Sequence, residues 1–168
     1  MVDSFKFLPR LIAAFYRNQQ PLVDGALPWS PLPKPLAHCK LSLITTAGLY
    51  RKDFQSPFDT QREQIEPTWG DPSYRPIPTD SLPSQIGVSH LHINPQPILQ
   101  DLNVVFPLER LRELTAEGRV GGLAAQAYSF MGYQGFPPHP HAWLETSAPQ
   151  VAEALHRENV EVLILTPV

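Results

Sequence analysis

TSAPQVAEALHREN (146–159) runs straight into VEVLILTPV (160–168), and the reading of this pair decides the fold. Thr146 or Ser147 suits a helix cap, Val151, Ala154 and Leu155 share a face at helical spacing, and Asn159 suits the stop. Val162, Leu163, Ile164 and Leu165 then make an unbroken apolar run, which predicts a fully buried strand. A helix feeding such a strand is half of a βαβ unit, and βαβ units build parallel sheets. Thr166-Pro167 then falls at the turn beyond the strand's carboxyl end, where open parallel sheets hold their ligands.

Working outward, KLSLITTAG (40–48) alternates and then turns apolar before a glycine, a strand feeding a turn. SQIGVSHLHIN (84–94) is a second strand candidate through Ile86, Val88 and Leu91, and AQAYSFMGY (125–133) is a third. FPLERLRELTAEG (106–118) predicts a helix, with Pro107 at its first turn, Leu108, Leu111 and Leu114 as its stripe and Gly118 past its end. SFKFLPRLIAAFYRN (4–18) places Phe5, Leu8, Ile12 and Phe15 at helical spacing despite Pro9. The expected class is α/β: an open, mostly parallel sheet with flanking helices, Rossmann- or flavodoxin-like, unfinished at the C-terminus and preceded by a proline-rich arm. Residues 1–36 form the helix and arm, and residues 37–168 the α/β portion.

Composition narrows the function. A net charge of −3 offers no basic face for nucleic acid, and no apolar run reaches the ~18 residues a membrane span needs. With one cysteine, Cys39, there is no internal disulfide, and no signal-peptide pattern opens the chain, so a cytoplasmic protein is expected. Twenty prolines in 168 residues, about 12% against an average near 5%, cluster at 21–35, 66–83 and 136–140. These stretches carry Trp29, Trp69 and Tyr74, large groups that pack, so ordered arms are expected rather than disordered linkers.

Three strand ends, TTAG (45–48), HIN (92–94) and TPV (166–168), are expected to rim one crevice. TTAGLYR (45–51) offers Thr45, Thr46 and Arg51 as a cradle for a carboxylate, against the alternative of an ordinary turn. His90 and His92 are expected on one face of a strand, with Asn94 beyond them. They suit a polar substrate, a metal or a purely structural role; the second pair, His139 and His141, has no carboxylate or cysteine at zinc-like spacing, and no metal is assigned. Ser129 and Tyr133 of SFMGYQG reach the same rim, as does Thr166. EPTWGDPSYR (66–75) reads as a lid, a subunit contact or a stiffened connection. Cys39, just before a strand, reads as a small buried hydrophobe.

LITTAGLYRK, EPTWGDPSYR, SHLHIN, NVVFPLERLRELTAEGRVGGLA, YSFMGYQG and VEVLILTPV, in this order, resemble the selenoprotein B family of glycine/sarcosine/betaine/D-proline reductases, over residues 37–168. WGDPSYR, SHLHIN and the short N-terminus look closer to the D-proline reductase type. In that family the strand similar to VLILTPV is followed at once by selenocysteine, or by cysteine in some members. The resemblance therefore implies a nucleophile immediately after Val168, a chain that stops where its UGA codon is read as termination, and no catalysis by residues 1–168 alone. It implies reductive cleavage of a carbon–nitrogen bond in a small amino acid or amine. It also implies a pyruvoyl group on a partner subunit, a thiol or thioredoxin-like reductant, and no cofactor held by this chain itself. A different class of function, a complete non-catalytic α/β domain that assembles as a homo-oligomer, stands beside it.

Overall fold

The computed structural model describes residues 9–18 and 30–168. The chain divides into two units, residues 1–31 and 32–168. In the first, α1 (Arg10–Arg17) is the later part of the helix expected over 4–18. Phe5 and Leu8 of its stripe, and Trp29 of the first proline arm, lie outside the described residues. Ile12, assigned to the apolar stripe, is exposed, and Ala13 beside it is buried.

The second unit is an open, mostly parallel sheet between helical layers. Its centre is β1 (Lys40–Thr45). Leu41 pairs in parallel with both Leu123 and Val162, and Thr45 with both Ser129 and Thr166. The short β5 (Gly122–Leu123) and β6 (Gln126–Phe130) therefore share one edge of β1, and β7 (Val162–Thr166) holds the other. β3 (Tyr74–Pro78) adds to β6 antiparallel, with Pro76 opposite Tyr128. That strand was hidden by its prolines, which lack a donor and are tolerated only at edges. It also makes part of the second proline-rich stretch ordered, as expected. β2 (Leu49–Arg51) and β4 (Ile86–Val88) form a separate antiparallel pair.

Each face of the sheet buries one apolar set. On one side α3 (Gln96–Gln100) and α4 (Leu108–Ala116) bring Ile98, Leu108 and Leu111 against Leu41, Leu43 and Ile77. Pro107 precedes α4 as its N-cap, one position earlier than expected, and Gly118 follows its end with φ +70°. On the other side α5 (Ala148–Arg157) sets Val151, Ala154 and Leu155 on Tyr128 and Phe130. A single π-helical turn (Trp143–Ser147) leads into α5, and Ser147 holds the N-cap position without a side-chain capping bond, its hydroxyl donating instead to Pro72 O at 2.6 Å. Asn159 ends α5 in the left-handed region, φ 55°.

β7 departs from the expectation of a fully buried strand. Val162 and Ile164 face the α4 side and are half-buried, whereas Leu163 and Leu165 face the α5 side and are 39% and 63% exposed. The cause is the placement of α5, which packs over β6 and leaves β7 uncovered on that face. A groove of about 300 Å³ remains there, walled by Ile44, Trp143, Val151, Leu155 and Leu163.

Candidate active site

Because β1, β6 and β7 are parallel, their carboxyl ends meet at one edge of the sheet. Thr46 ties that edge together. Its N–H donates to Thr166 O at 3.3 Å, its carbonyl accepts from Gly132 N–H at 2.9 Å, and its Oγ1 accepts from Val168 N–H at 2.8 Å and reaches Val168 O at 3.4 Å. Gly48, with φ +65°, turns the chain away and donates to Phe130 O at 2.9 Å. That left-handed turn favours glycine. Expected rims TTAG and TPV are thus in direct contact.

Gly132 marks a close approach between them, where a side chain has no room. A Cβ placed on it would lie 2.9 Å from Val168 O, 3.0 Å from Thr46 O and 3.3 Å from His90 Nε2. Three polar atoms therefore converge on a volume that only glycine leaves free.

His90 and His92 meet at this place by a different geometry from the one expected. β4 ends at Val88, so the two histidines stand in the turn after it and not along a strand. The backbone N–H of His92 donates to His90 Nδ1 at 3.1 Å, and the two rings lie edge to face with centroids 6.1 Å apart. An Nδ1 that accepts leaves the proton of the neutral ring on Nε2. His90 Nε2 is buried and has no hydrogen-bond partner among the described residues. Burial, and secondarily the charge of His92, pull its pKa down to about 4, so the ring is a neutral donor at pH 7.

His92 is stacked on Tyr133, with centroids 3.9 Å apart, and its Nε2 lies 2.8 Å from Glu63 Oε1. Tyr133 is fixed in turn by donating its hydroxyl to Pro67 O. Glu63 comes from α2 (Thr60–Ile65), a short helix capped by Asp59, which accepts from Arg62 N–H at 2.9 Å. The Glu63 side chain is 1% exposed, and neither of its oxygens has an aligned donor among the described residues, close though His92 is. Burial raises its pKa; His92 opposes that rise and Asp71 adds to it.

The remaining expected residues divide. Thr45 is fully buried, with Oγ1 donating to Thr166 O at 3.3 Å and accepting from Ala47 N–H at 3.3 Å. Thr166 Oγ1 donates to Val105 O at 2.8 Å. Both are built into the edge on which Thr46 and His90 stand. Arg51 is held elsewhere: it pairs with Ile86 at the opposite end of the small ladder from His90, grips Asp53 through Nε at 3.0 Å and Nη2 at 2.7 Å, and donates to Ser81. Asn94 accepts from Gln96 N–H at 3.0 Å at the start of α3.

The 66–75 loop is an ordered connection consumed by its own contacts. Asp71 accepts from Asp59 N–H and Ser73 N–H, Arg75 lies over Phe58, and Arg62 lies over Trp69. Gln134 Nε2 donates to Asp71 O at 2.9 Å and joins this loop to the one carrying Tyr133. Cys39 is fully buried, a member of the core at the amino end of β1. Among the described residues no group of three His, Cys, Asp or Glu side chains could hold a metal ion, and no helix is long and apolar enough to cross a membrane.

Sequence reasoning missed Glu63; it placed Gly132, one of the two glycines of SFMGYQG, at the rim without giving it a role. Glu63 is one polar residue among several in TQREQI, and only tertiary packing buries it. Gly132 carried a signal, since MGY interrupts a strand pattern with the residue used for close backbone approach.

Fold and site together define an α/β domain that gathers a hydroxyl, a neutral histidine and a glycine-lined gap at the carboxyl edge of a parallel sheet. The profile of glycine/sarcosine/betaine reductase selenoprotein B matches residues 19–168. The chain belongs to that family. It is 30% identical over 138 residues to the D-proline reductase subunit gamma of Acetoanaerobium sticklandii. That alignment covers 82% of this chain and 52% of the relative, so the chain spans about half the relative's length. No solved structure matches it.

Proposed function

We propose that this chain forms the nucleophile-presenting edge of a reductase subunit that cleaves a carbon–nitrogen bond in a small amino acid or amine. The nucleophile, selenocysteine or a cysteine in its place, is carried immediately beyond Val168, and residues 1–168 without it are inactive. The observation that carries this reading is the convergence at Gly132 of Val168 O, Thr46 O and the unpartnered His90 Nε2. A selenolate or thiolate attached past Val168 emerges beside a buried N–H donor that has nothing else to bind.

Each residue then has a task. Thr46 Oγ1 holds Val168 by its N–H, which fixes the direction in which the next residue leaves. His90 is a neutral donor and gives the anion a charge-assisted hydrogen bond without an acidic proton to quench it. A nucleophile already ionised at neutral pH is the more reactive one, and a selenol is more acidic than a thiol. His92 and Tyr133 wall the approach to the gap, with Thr45 and Thr166 as its floor. Arg51 and Asn94 serve the same substrate site only if their present partners release them.

On this reading the partners would be a subunit carrying a pyruvoyl group, which would supply a carbonyl for the substrate amine, and a thiol or thioredoxin-like reductant for the nucleophile; the uncovered face of β7 supports assembly as an oligomer. The relative's name favours D-proline as the first amine to try.

The test is the reading frame past Val168. We expect a selenocysteine or cysteine codon next, followed by further sequence. Purified with its partner subunit, the whole frame reduces D-proline or a related amine at the expense of a dithiol, and a serine at the nucleophile position abolishes turnover. A frame with neither residue there, or a serine variant as active as its parent, would overturn the proposal and return the domain to a role in assembly.

A further inference from the structure

Glu63 is an expensive residue. A carboxylate taken out of water without aligned donors destabilises the fold, and such groups are rare enough in native structures to need a reason. Its side chain is 1% exposed, its oxygens have no aligned hydrogen-bond donor among the described residues, and it stands on a helix of six residues whose other side chains reach solvent. An apolar residue of similar size would fill the same volume at less cost.

We propose that Glu63 is a positioning residue that acts through His92 to hold His90 with its Nε2–H directed into the gap beside Gly132. The chain of contacts is short. Glu63 Oε1 stands 2.8 Å from His92 Nε2, a close though unaligned acceptor that attracts the tip of that ring. Tyr133 covers one face of it at 3.9 Å. With the ring held at tip and face, the backbone N–H of His92 is kept 3.1 Å from His90 Nδ1, and that bond alone decides which nitrogen of His90 carries the proton. Without the anchor, the half-exposed His92 side chain swings toward solvent, the turn loosens, and His90 is free to take either tautomer.

Charge is arranged to spare the device. Asp71, whose charge also acts on Glu63, spends its oxygens on Asp59 N–H, Ser73 N–H and the Ser73 hydroxyl and faces Arg75, while Arg62 of the same helix pairs with Glu66 at 3.0 Å. Glu63 is thus left to His92.

The proposal rests on the proposed function only for its purpose; its geometry is tested without any nucleophile. Long-range proton–nitrogen spectra of the 168-residue chain with nitrogen-15 histidine report the tautomer of each ring. In the unsubstituted chain we expect His90 as a single neutral Nε2–H species at neutral pH. Glu63→Gln keeps an acceptor for His92 and retains that signature. Glu63→Leu fills the space without an acceptor, and His90 loses the single-tautomer pattern while thermal stability holds or rises. An unchanged His90 pattern in a folded Glu63→Leu chain overturns the proposal, as does an Nδ1–H tautomer in the unsubstituted protein, which remains decisive should the leucine variant fail to fold. Spectra that behave as expected in a protein whose full frame proves inert would remove the reductase reading and leave the Glu63–His92–His90 linkage standing.

Discussion

Replacing His90 by glutamine tests the electrostatics of the site through stability alone. Burial and the neighbouring His92 charge lower the His90 pKa from 6.5 to about 4. The unfolded chain therefore binds this proton first as the pH falls, so the contribution of the neutral ring is complete above about pH 6.5 and is lost on the way down to about pH 4. The full shift corresponds to about 3 kcal/mol at 1.36 kcal/mol per unit, and solvent reaching part of the ring reduces it to about 1.5 kcal/mol. Glu63 slopes the other way: burial raises its folded pKa, so its own burial costs more as the pH rises. The difference between the parent and His90→Gln isolates the histidine. Urea unfolding at about pH 7 and about pH 4.5 should show the parent losing about 1.5 kcal/mol more than the variant, a relative midpoint change near 0.7 M for a slope of about 2 kcal/mol/M. Parallel pH dependences for the two proteins would refute the assignment of His90 as a buried neutral donor.

Other substitutions probe the same edge. Gly132→Ala drives a methyl to 2.9 Å from Val168 O and 3.0 Å from Thr46 O, and a thermal melt should register a loss of about 1–3 kcal/mol. Thr46→Val removes the acceptor for Val168 N–H, so exchange of that amide with solvent should quicken about fivefold, as the loss of about 1 kcal/mol dictates; unchanged protection would separate Val168 from Thr46. Leu163 and Leu165 on the open face of β7 should make the 168-residue chain self-associate, and Leu165→Lys should return it to a monomer in sedimentation; a parent that is monomeric throughout would contradict this.

What the sequence made legible followed local chemistry. The helix and strand across 146–168 were readable because apolar spacing changes there from a helical period to a continuous run, and Asn159 and Gly118 end their helices in the left-handed region as their residue types suggest. An apolar run, however, does not say what covers it. Leu163 and Leu165 read as core, and the position of α5 over β6 left them open. β3 was obscured because Pro76 and Pro78 contradict a strand everywhere except at an edge, and edge position is a property of the assembled sheet. At the site, the spacing of His90 and His92 did bring the rings together, but through a turn and a backbone hydrogen bond instead of strand alternation. Glu63 was invisible because α2 is short, and its burial is created by loops distant in sequence.

The location of Cys39 has a practical consequence. Its sulfur is sealed at the amino end of β1, with the sheet's full length between it and the gap at Gly132. Alkylating reagents added to folded protein meet a silent background, because the one thiol these residues contribute is out of reach. Any label that a longer chain carrying these residues takes up would therefore mark a group outside them.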